Sequence, residues 1–162
     1  MGNNKIKLPS GITHRNTENI RSDFRALLSG DTPFLVPGAV NAISAKLIER
    51  TNFNAFFITG AGLANSQYGL PDIGLLSLTE VCMESSKILD ATNLPAIIDA
   101  DTGYGGPLSV MRTIHQLENL GAAAIQLEDQ VMPKRCGHFD NKSVIDCKSM
   151  VQKLEAAQEA RS

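Results

Sequence analysis

Hydrophobic residues along this chain follow two alternating patterns: short continuous runs, and longer stretches with helical spacing. The continuous runs do not alternate with polar residues, which is typical of strands buried on both faces of a parallel sheet. Four such runs are present: Phe34-Leu35-Val36, Ala55-Phe56-Phe57-Ile58, Ala96-Ile97-Ile98 and Ala122-Ala123-Ala124-Ile125-Gln126-Leu127. The pattern therefore predicts four buried strands.

Each predicted strand is followed by residues with the three- and four-residue spacing of a helix face. Ser77 and Glu80 are spaced as a capping box, and Pro107 suits the first turn of a helix that Gly121 closes. A further helix, about residues 17–29, precedes the first strand. The residues that show this spacing in the four later helices are Ile43, Leu47, Ile48; Val81, Ser85, Ile88, Leu89, assigned to an inner face; Val110, Ile114, Leu117, which form a stripe; and Met150, Val151, Leu154, Ala157.

One helix followed by four strand–helix units predicts an α/β fold with a parallel sheet and right-handed crossovers. Such a sheet is either doubly wound or part of a barrel. Polar or glycine-rich residues follow each strand, and functional residues at the carboxyl ends of several strands are typical of a (β/α)8 TIM barrel. A barrel needs eight strands, and this chain supplies four. We therefore predict the first half of a barrel.

The composition is that of an ordinary globular domain. The chain has 162 residues, of which 43% are hydrophobic and 20% charged, with a net charge of −2. This balance indicates neither a nucleic acid nor an anionic membrane as partner. Residues 1–16 are interpreted as a polar leader without the apolar core of a secretory signal. Together with three cysteines lacking zinc-like spacing, this predicts a cytoplasmic protein, a mitochondrial location staying open for a eukaryotic source.

Acidic residues follow two neighbouring strands. Asp99 and Asp101 are two residues apart and point to the same side of a regular strand, and Glu128 follows the next strand. A divalent cation is the usual means of holding such carboxylates together, and oxygen ligands favour Mg²⁺ or Mn²⁺ over zinc. The alternative is an Asx turn at Asp101 and a surface ion pair at Glu128.

A glycine-rich segment, Thr59-Gly60-Ala61-Gly62, directly follows the second strand. Its N–H groups and the Thr59 hydroxyl are suited to a carboxylate or phosphate, although an unliganded tight turn explains them equally well. A dinucleotide site is rejected because Asn65 replaces the third glycine and the next strand comes too late. The long connection that follows includes Asp72, either a further acid of the site or part of a turn.

The segment Lys134-Arg135-Cys136-Gly137-His138 places a thiol between two cations and an imidazole. Positive charge nearby favours the thiolate form that acid–base chemistry uses, and the glycine allows a ligand close to the backbone. The alternative is a buried structural cysteine, which is less compatible with such polar neighbours.

Together these motifs resemble the isocitrate lyase/phosphoenolpyruvate mutase superfamily, in particular its methylisocitrate lyase-like branch. The resemblance covers about residues 33–160, and the cysteine motif is its most specific part. Branches with phosphonate chemistry lack that motif, so Cys136 favours carbon–carbon bond cleavage. The matching segments, in the order of the family, are Val36–Ala39, Thr59–Gly62, Gly69–Asp72, Asp99–Gly105, Glu128–Gln130 and Lys134–His138.

The resemblance implies a role for each of these residues. Asp99 and Asp101 would hold Mg²⁺, Asp99 in part through water, with Glu128 and Asp72 supporting its water shell. A carboxylate or 2-oxo acid would bind at Thr59, Gly60 and Ala61. Cys136 would protonate the fragment left by carbon–carbon cleavage, beside substrate bound at Gly137. The residues implied to tune that thiol and receive negative charge are Lys134, Arg135 and His138.

The implied reaction is the cleavage of 2-methylisocitrate, or a related 2-hydroxy acid, to a 2-oxo acid and a dicarboxylate such as succinate. Alternatives within the superfamily are dimethylmalate cleavage, oxaloacetate hydrolysis and carboxyphosphonoenolpyruvate rearrangement. Family members are about twice as long, as full barrels should be, and the resemblance implies a homotetramer of the full-length form. The chain is therefore interpreted as a fragment, or as a truncated half that pairs with a partner. A catalytically inactive binding module is the alternative from a different functional class.

Overall fold

A computed structural model describes residues 15–161, so the predicted leader lies outside the described residues except for positions 15 and 16. Within the described part, six helices accompany one four-stranded sheet. None of these helices is long and apolar enough to cross a membrane. The elements in chain order are α1 (Thr17–Leu28), β1 (Gly38–Ala39), α2 (Ala42–Arg50), β2 (Phe56–Ile58), α3 (Gly60–Tyr68), α4 (Leu78–Leu89), β3 (Ala96–Asp99), α5 (Pro107–Asn119), β4 (Ala124–Gln126) and α6 (Cys147–Glu159).

The strands lie side by side in the order in which they occur along the chain, β1-β2-β3-β4, and every pair is parallel. A doubly wound sheet would reverse this order at one point, whereas a barrel does not. The half-barrel prediction is therefore confirmed. Because the strands are parallel, their carboxyl ends meet at one edge, where Ile58 pairs with Ile98 and Asp99 with Gln126.

The first strand is shorter than predicted and lies further along the chain. Residues 34–36 are not part of the sheet, and pairing is confined to Gly38–Ala39. Pro37 has no N–H to donate, although its carbonyl accepts a bond from the Phe57 N–H at 2.9 Å. Leu35 is 77% exposed, so the hydrophobic run at this position does not correspond to a buried strand.

Helix α3 is absent from the sequence prediction, which assigned a tight turn to its beginning. Thr59 caps this helix, accepting a bond from the Gly62 N–H at 3.2 Å, and Gly69 ends it with φ +65°. One glycine of this segment is needed for close packing. A Cβ at Gly62 would lie 2.5 Å from a methyl carbon of Val40.

The inner faces predicted for α4 and α5 are confirmed, because all seven of their assigned residues are buried. Helices α2 and α6 are present as predicted, but not all of the hydrophobic residues that indicated them are buried. Ile43 and Leu47 on α2 are 67% and 55% exposed, and Val151 and Leu154 on α6 are 44% and 49% exposed. These helices pack mainly on one neighbour each, α4 and α5 respectively, so much of their apolar surface has no cover within the described residues.

Helix α1 is tied to the amino ends of the strands by arginine side chains. Arg21 donates to the carbonyls of Glu118 and Ala122. Arg15 donates to four carbonyls in the turns before β3 and β4, and burial lowers the pKa of its guanidinium to about 10. The acceptors are the carbonyl oxygens of Leu89, Thr92, Leu94 and Gly121, at 2.7–3.2 Å. This end of the sheet is therefore closed by structural contacts, opposite the predicted site.

Replacing Arg15 with methionine is expected to lower the free energy of unfolding by about 2 kcal/mol, because buried carbonyls lose a charged donor. Arg25→Met, at an exposed position of α1, should stay within about 0.5 kcal/mol of the parent. Urea titration followed by circular dichroism measures both. Equal stability of the two variants would contradict the role assigned to Arg15.

Candidate active site

Asp99 occupies the last position of β3, and its carboxylate joins two elements at the carboxyl edge of the sheet. Oδ2 accepts a hydrogen bond from the Gly60 N–H at 3.1 Å, and Oδ1 accepts one from the Asp101 N–H at 3.1 Å. A Cβ at Gly60 would lie 3.1 Å from Oδ2, so glycine is what allows α3 to begin this close to the acid. Asp99, Asp101 and Gly60 thus lie close together at this edge of the sheet.

Asp101 and Asp72 are joined through the ammonium of Lys134. Lys134 Nζ forms an ion pair with Asp101 Oδ1 and a second with Asp72 Oδ1 at 2.6 Å, and the Lys134 side chain is only 6% exposed. Asp101 adopts the left-handed conformation at φ +47°, which aspartate tolerates better than most residues. Three residues from separate segments therefore converge at one buried point.

Burial raises the pKa of the Asp101 carboxyl group, and the nearby Lys134 opposes that shift without cancelling it. Burial is also the largest single influence on Lys134 and would lower its pKa. Hydrogen bonds and charge from Asp101 and Asp72 outweigh burial, so the pKa of Lys134 is raised. Lys134 is consequently a fixed cation of the site.

Glu128 follows β4. Its backbone N–H donates a hydrogen bond to the Asp101 carbonyl at 2.8 Å, which holds the two residues side by side. Its Oε2 accepts from the Gln130 amide at 3.0 Å. Its Oε1 and the Tyr104 hydroxyl are buried without a hydrogen-bond partner among the described residues. Such orphaned polar oxygens are rare, and water, a metal or a substrate group usually satisfies them.

The four acids predicted to hold a metal do not form one closed cluster. No group of three or more His, Cys, Asp or Glu side chains in residues 15–161 is placed to hold an ion. Asp72 and Asp101 face Lys134, and Asp99 is occupied by two N–H donors. Mg²⁺ nevertheless keeps several waters and needs only one or two carboxylates. Glu128 adds a buried oxygen without a partner among the described residues, and carboxylate oxygens are the ligand type that Mg²⁺ prefers.

The structure separates the charged residues of the cysteine segment. Lys134 contacts the acids, and the side chains of Arg135 and His138 lie at the surface. His138 Nδ1 is 3.6 Å from Cys136 Sγ, so the imidazole is the group placed to exchange a proton with the thiol. Of the three residues predicted to tune Cys136, His138 contacts the thiol, whereas Lys134 pairs with Asp72 and Asp101.

The segment expected to bind a carboxylate forms the first turn of α3. The Thr59 hydroxyl accepts the Gly62 N–H, and Gly60 contacts Asp99. Ala61 lies next in this turn and is partly exposed. Gly137 is exposed, and a Cβ there would meet no described atom within 4 Å. An incoming carboxylate would therefore meet Gly137 unobstructed, while the Thr59 oxygen already serves as a helix cap.

Tyr104 and Gln130 lie in the site without having been predicted as functional residues. Tyr104 adopts φ +58° and directs its hydroxyl to a buried position, where burial raises its pKa, as do the charges of Asp101 and Asp99. Gln130 bridges Glu128 and Arg135. Both residues stand within segments that the sequence analysis had singled out, but no charge or periodicity distinguished them.

Replacing Lys134 with methionine, measured in a chelator at about pH 7, is expected to lower the free energy of unfolding by about 3 kcal/mol. The change leaves Asp72 and Asp101 buried without their cation. A carboxyl group whose pKa is raised on folding destabilises the folded state above its unfolded pKa and not below it. The pKa of Asp101 is raised on folding, so the loss should shrink as the pH falls toward the ordinary pKa of an aspartate, about 4, where that carboxyl group becomes protonated.

The matched control is Lys148→Met at an exposed position of α6, which should be nearly neutral at either pH. Urea titrations at the two pH values separate the effect of the lost ion pairs, which depends on pH, from the effect of altered packing, which does not. Equal destabilisation by Lys134→Met at both would show that the lost ion pair is not the cause.

Comparison with known proteins gives a consistent match. The family model described as phosphoenolpyruvate phosphomutase matches residues 24–162. The chain is 42% identical over 146 residues to 2-methylisocitrate lyase of Shewanella oneidensis, covering 90% of this chain and 50% of that protein. It is 44% identical over 143 residues to 2,3-dimethylmalate lyase of Eubacterium barkeri, covering 88% and 50%. The chain thus spans about half the length of the curated relatives it matches.

Solved structures give the same result. Oxaloacetate acetylhydrolase in complex with the inhibitor 3,3-difluorooxalacetate superposes with a TM-score of 0.82 at 34% identity, covering 86% of this chain and 48% of that one. Phosphonopyruvate hydrolase in complex with oxalate and Mg²⁺ superposes with a TM-score of 0.77 at 30% identity, covering 88% and 48%. The half-barrel therefore matches one half of proteins that act on small carboxylates or bind them.

Proposed function

The chain belongs to the phosphoenolpyruvate phosphomutase family, and on that basis we propose that the whole protein is a Mg²⁺-dependent carbon–carbon lyase. Its substrate is 2-methylisocitrate or a related 2-hydroxy acid, and its products are a 2-oxo acid, pyruvate or glyoxylate, and a dicarboxylate such as succinate. One observation supports this most strongly. Lys134 binds Asp72 and Asp101, and its Cα lies within about 7 Å of the Cα of Cys136, so the segment that holds the thiol is anchored to the acids.

Each described side chain has a distinct task in this proposal. Bound Mg²⁺, or Mn²⁺ in its place, would polarise the hydroxyl and the nascent carbonyl oxygen of the substrate. Asp99 and Asp101 would hold the ion, and Glu128 and Asp72 would order its waters. Gly60, Ala61 and the Thr59 turn would orient a carboxylate of the substrate beside Gly137.

In the cleavage the substrate hydroxyl gives its proton to water as its oxygen becomes the carbonyl oxygen of the 2-oxo acid, and the electron pair of the broken carbon–carbon bond stays on the departing dicarboxylate, whose carbon must gain a proton. Cys136 supplies this proton from Sγ, and His138, 3.6 Å away, is placed to return one to the resulting thiolate. Lys134 keeps its positive charge near the carboxylates throughout. Arg135, whose side chain is exposed, is available to attract the anionic substrate.

A second candidate within the same chemistry is the cleavage of 2,3-dimethylmalate. It is favoured by the 44% identity to a dimethylmalate lyase, which equals or exceeds the identity to the methylisocitrate lyases. Both substrates are 2-hydroxy acids cleaved at a carbon–carbon bond. The described residues are suited to either substrate, so assays with both substrates are needed to decide between them. The panel of activities to be assayed also includes oxaloacetate hydrolysis, the activity in the name of a structural match. Its last member is carboxyphosphonoenolpyruvate rearrangement.

The test uses the endogenous protein purified from its source cells, with its intact mass measured first. A mass well above the 17.4 kDa of this chain would identify a longer protein, and the substrate panel would be applied to that form. Release of a 2-oxo acid that stops in a chelator and returns with Mg²⁺ supports the proposal. Absence of release from every 2-hydroxy acid would favour a non-catalytic binding module.

The same preparation tests the assembly and location proposed from the family resemblance. We propose a homotetramer of the full-length form, located in the cytoplasm or, for a eukaryotic source, in mitochondria. Light scattering of the purified protein gives the subunit number. Cell fractionation gives the location.

A further inference from the structure

Residues 131–143 form a loop that two backbone hydrogen bonds close at its base. The Val131 N–H donates to the Ser143 carbonyl and the Ile145 N–H donates to the Asp129 carbonyl, both at 2.8 Å. These bonds flank an antiparallel bridge between Gln130 and Val144. The loop includes the whole segment from Lys134 to His138. Its geometry therefore decides where the Cys136 thiol lies relative to the acids.

The side chain of Gln130 is directed into this loop and binds the backbone just before the cysteine. Gln130 Oε1 accepts from the Arg135 N–H at 3.0 Å, and Gln130 Nε2 donates to the Arg135 carbonyl at 2.9 Å. The same Nε2 donates to Glu128 Oε2 at 3.0 Å. Gln130 itself is only 8% exposed. One amide thus satisfies both backbone groups of Arg135 and one oxygen of Glu128.

Other contacts hold the loop before and after Arg135 without binding the N–H or the carbonyl of Arg135. Lys134 is fixed by its carboxylate partners, and Lys142 Nζ donates to the carbonyls of Gly137 and Phe139 at 2.7 Å from an exposed position. Neither contact sets the backbone direction between Lys134 and Cys136. The amide of Gln130 does, because it holds the N–H and the carbonyl of the intervening residue at once.

We propose that Gln130 is a positioning residue for Cys136, and that its amide couples the thiol to Glu128. Only the catalytic consequence rests on the proposed function, since the coupling is a property of the fold. Without the amide, the loop would retain the Lys134 ion pair but lose the orientation of the Arg135 peptide. The thiol would then sample positions away from the acids and become more accessible to solvent.

The first experiment measures alkylation of each cysteine by iodoacetamide with peptide mass spectrometry. Gln130→Met keeps the length of the side chain and removes all three bonds. Gln130→Glu keeps the shape and the acceptor but removes both donated bonds. In each variant the Cys136 rate is expected to rise about tenfold, as loss of two or three hydrogen bonds allows local opening. Gln152→Met, at an exposed site on α6, makes the same chemical change as a control.

Cys82, which is partly buried, and Cys147, which is exposed, report on the rest of the fold in the same sample. A rise confined to Cys136 supports the proposal. A parallel rise at Cys82 would show general loosening and overturn it, as would unchanged Cys136 rates in both variants. A Gln130→Met protein that does not fold leaves Gln130→Glu to decide by the same criterion.

A second measurement separates positioning from stability in the active protein. Gln130→Met is expected to lower kcat about 10²-fold with KM nearly unchanged, because the thiol is misplaced while substrate-binding groups are retained. A proportionate rise in KM with unchanged kcat would overturn the positioning role. Should the parent enzyme cleave none of the 2-hydroxy acids, the proposed function fails, and the alkylation pattern still decides the role of Gln130.

Discussion

Replacing Cys136 with serine in the active protein is expected to lower kcat about 10³-fold, the usual scale of a lost general acid. The two side chains have nearly the same size, so the loop and its contacts should be preserved. A serine hydroxyl is a far weaker acid than a thiol and is poorly suited to protonating the carbon of a departing dicarboxylate. Initial rates of 2-oxo acid release at saturating substrate measure the effect.

Metal binding provides the internal control for this substitution. Affinity for Mn²⁺, measured by titration calorimetry, should be unchanged in Cys136→Ser because no predicted ligand is altered. Cys147→Ser makes the same replacement at an exposed position at the start of α6 and should retain full turnover. Turnover within about threefold of the parent in Cys136→Ser would assign the acid to another group, since a true general acid contributes 10²–10⁴-fold.

The elements that could be predicted from sequence are those in which local pattern and tertiary burial agree. The runs at Phe56–Ile58 and Ala96–Ile98 are strands with both neighbours present, and the capping box at Ser77 does begin α4. Residues 34–36 have the same hydrophobic character, but Pro37 and the edge position limit pairing to the two residues after it. Helix α3 was missed because its glycines have low helix propensity. Its stability comes from Leu63 and Ala64 packing in the core.

The exposed hydrophobic residues of α2 and α6 have a common physical explanation. Hydrophobic periodicity reveals which residues avoid water, but not which described element covers them. Ile43 and Leu47 on α2, and Val151 and Leu154 on α6, remain exposed at opposite ends of the helix layer. A barrel of twice this strand number would place further elements beside β1 and β4, at the edges that the described sheet leaves unpaired.

Asp99, Asp101 and Glu128 could be predicted to lie at one edge because they stand at the ends of neighbouring strands, and parallel strands bring their carboxyl ends together. Their pairing partners could not. Lys134 lies 33 positions after Asp101 and 62 after Asp72 in the sequence, and only the closed loop brings its ammonium between them. The contacts of Gln130 could not be predicted either, because an amide that binds backbone groups is not distinguished by charge or by sequence spacing.

Replacing Asp101 with asparagine is expected to reduce Mn²⁺ affinity by more than the about 10–100-fold that loss of an outer-shell partner causes. Turnover should fall by about 10³-fold or more, because the ion supplies several kcal/mol of charge stabilisation. Asparagine is the better first substitution since it tolerates the left-handed backbone at φ +47°. Asp101→Ala should lose both properties as well, with added backbone strain.

Two controls make the result specific to this carboxylate. Asp129→Ala removes an exposed acid one residue after Glu128 and should bind Mn²⁺ as the parent does. In Asp101→Asn, Lys134 keeps its ion pair with Asp72, so the loop is expected to stay closed and the Cys136 alkylation rate to stay near that of the parent. Lost turnover with intact metal affinity would exclude Asp101 as a ligand and assign its effect to the charge that holds Lys134. Unchanged turnover would remove Asp101 from the mechanism altogether.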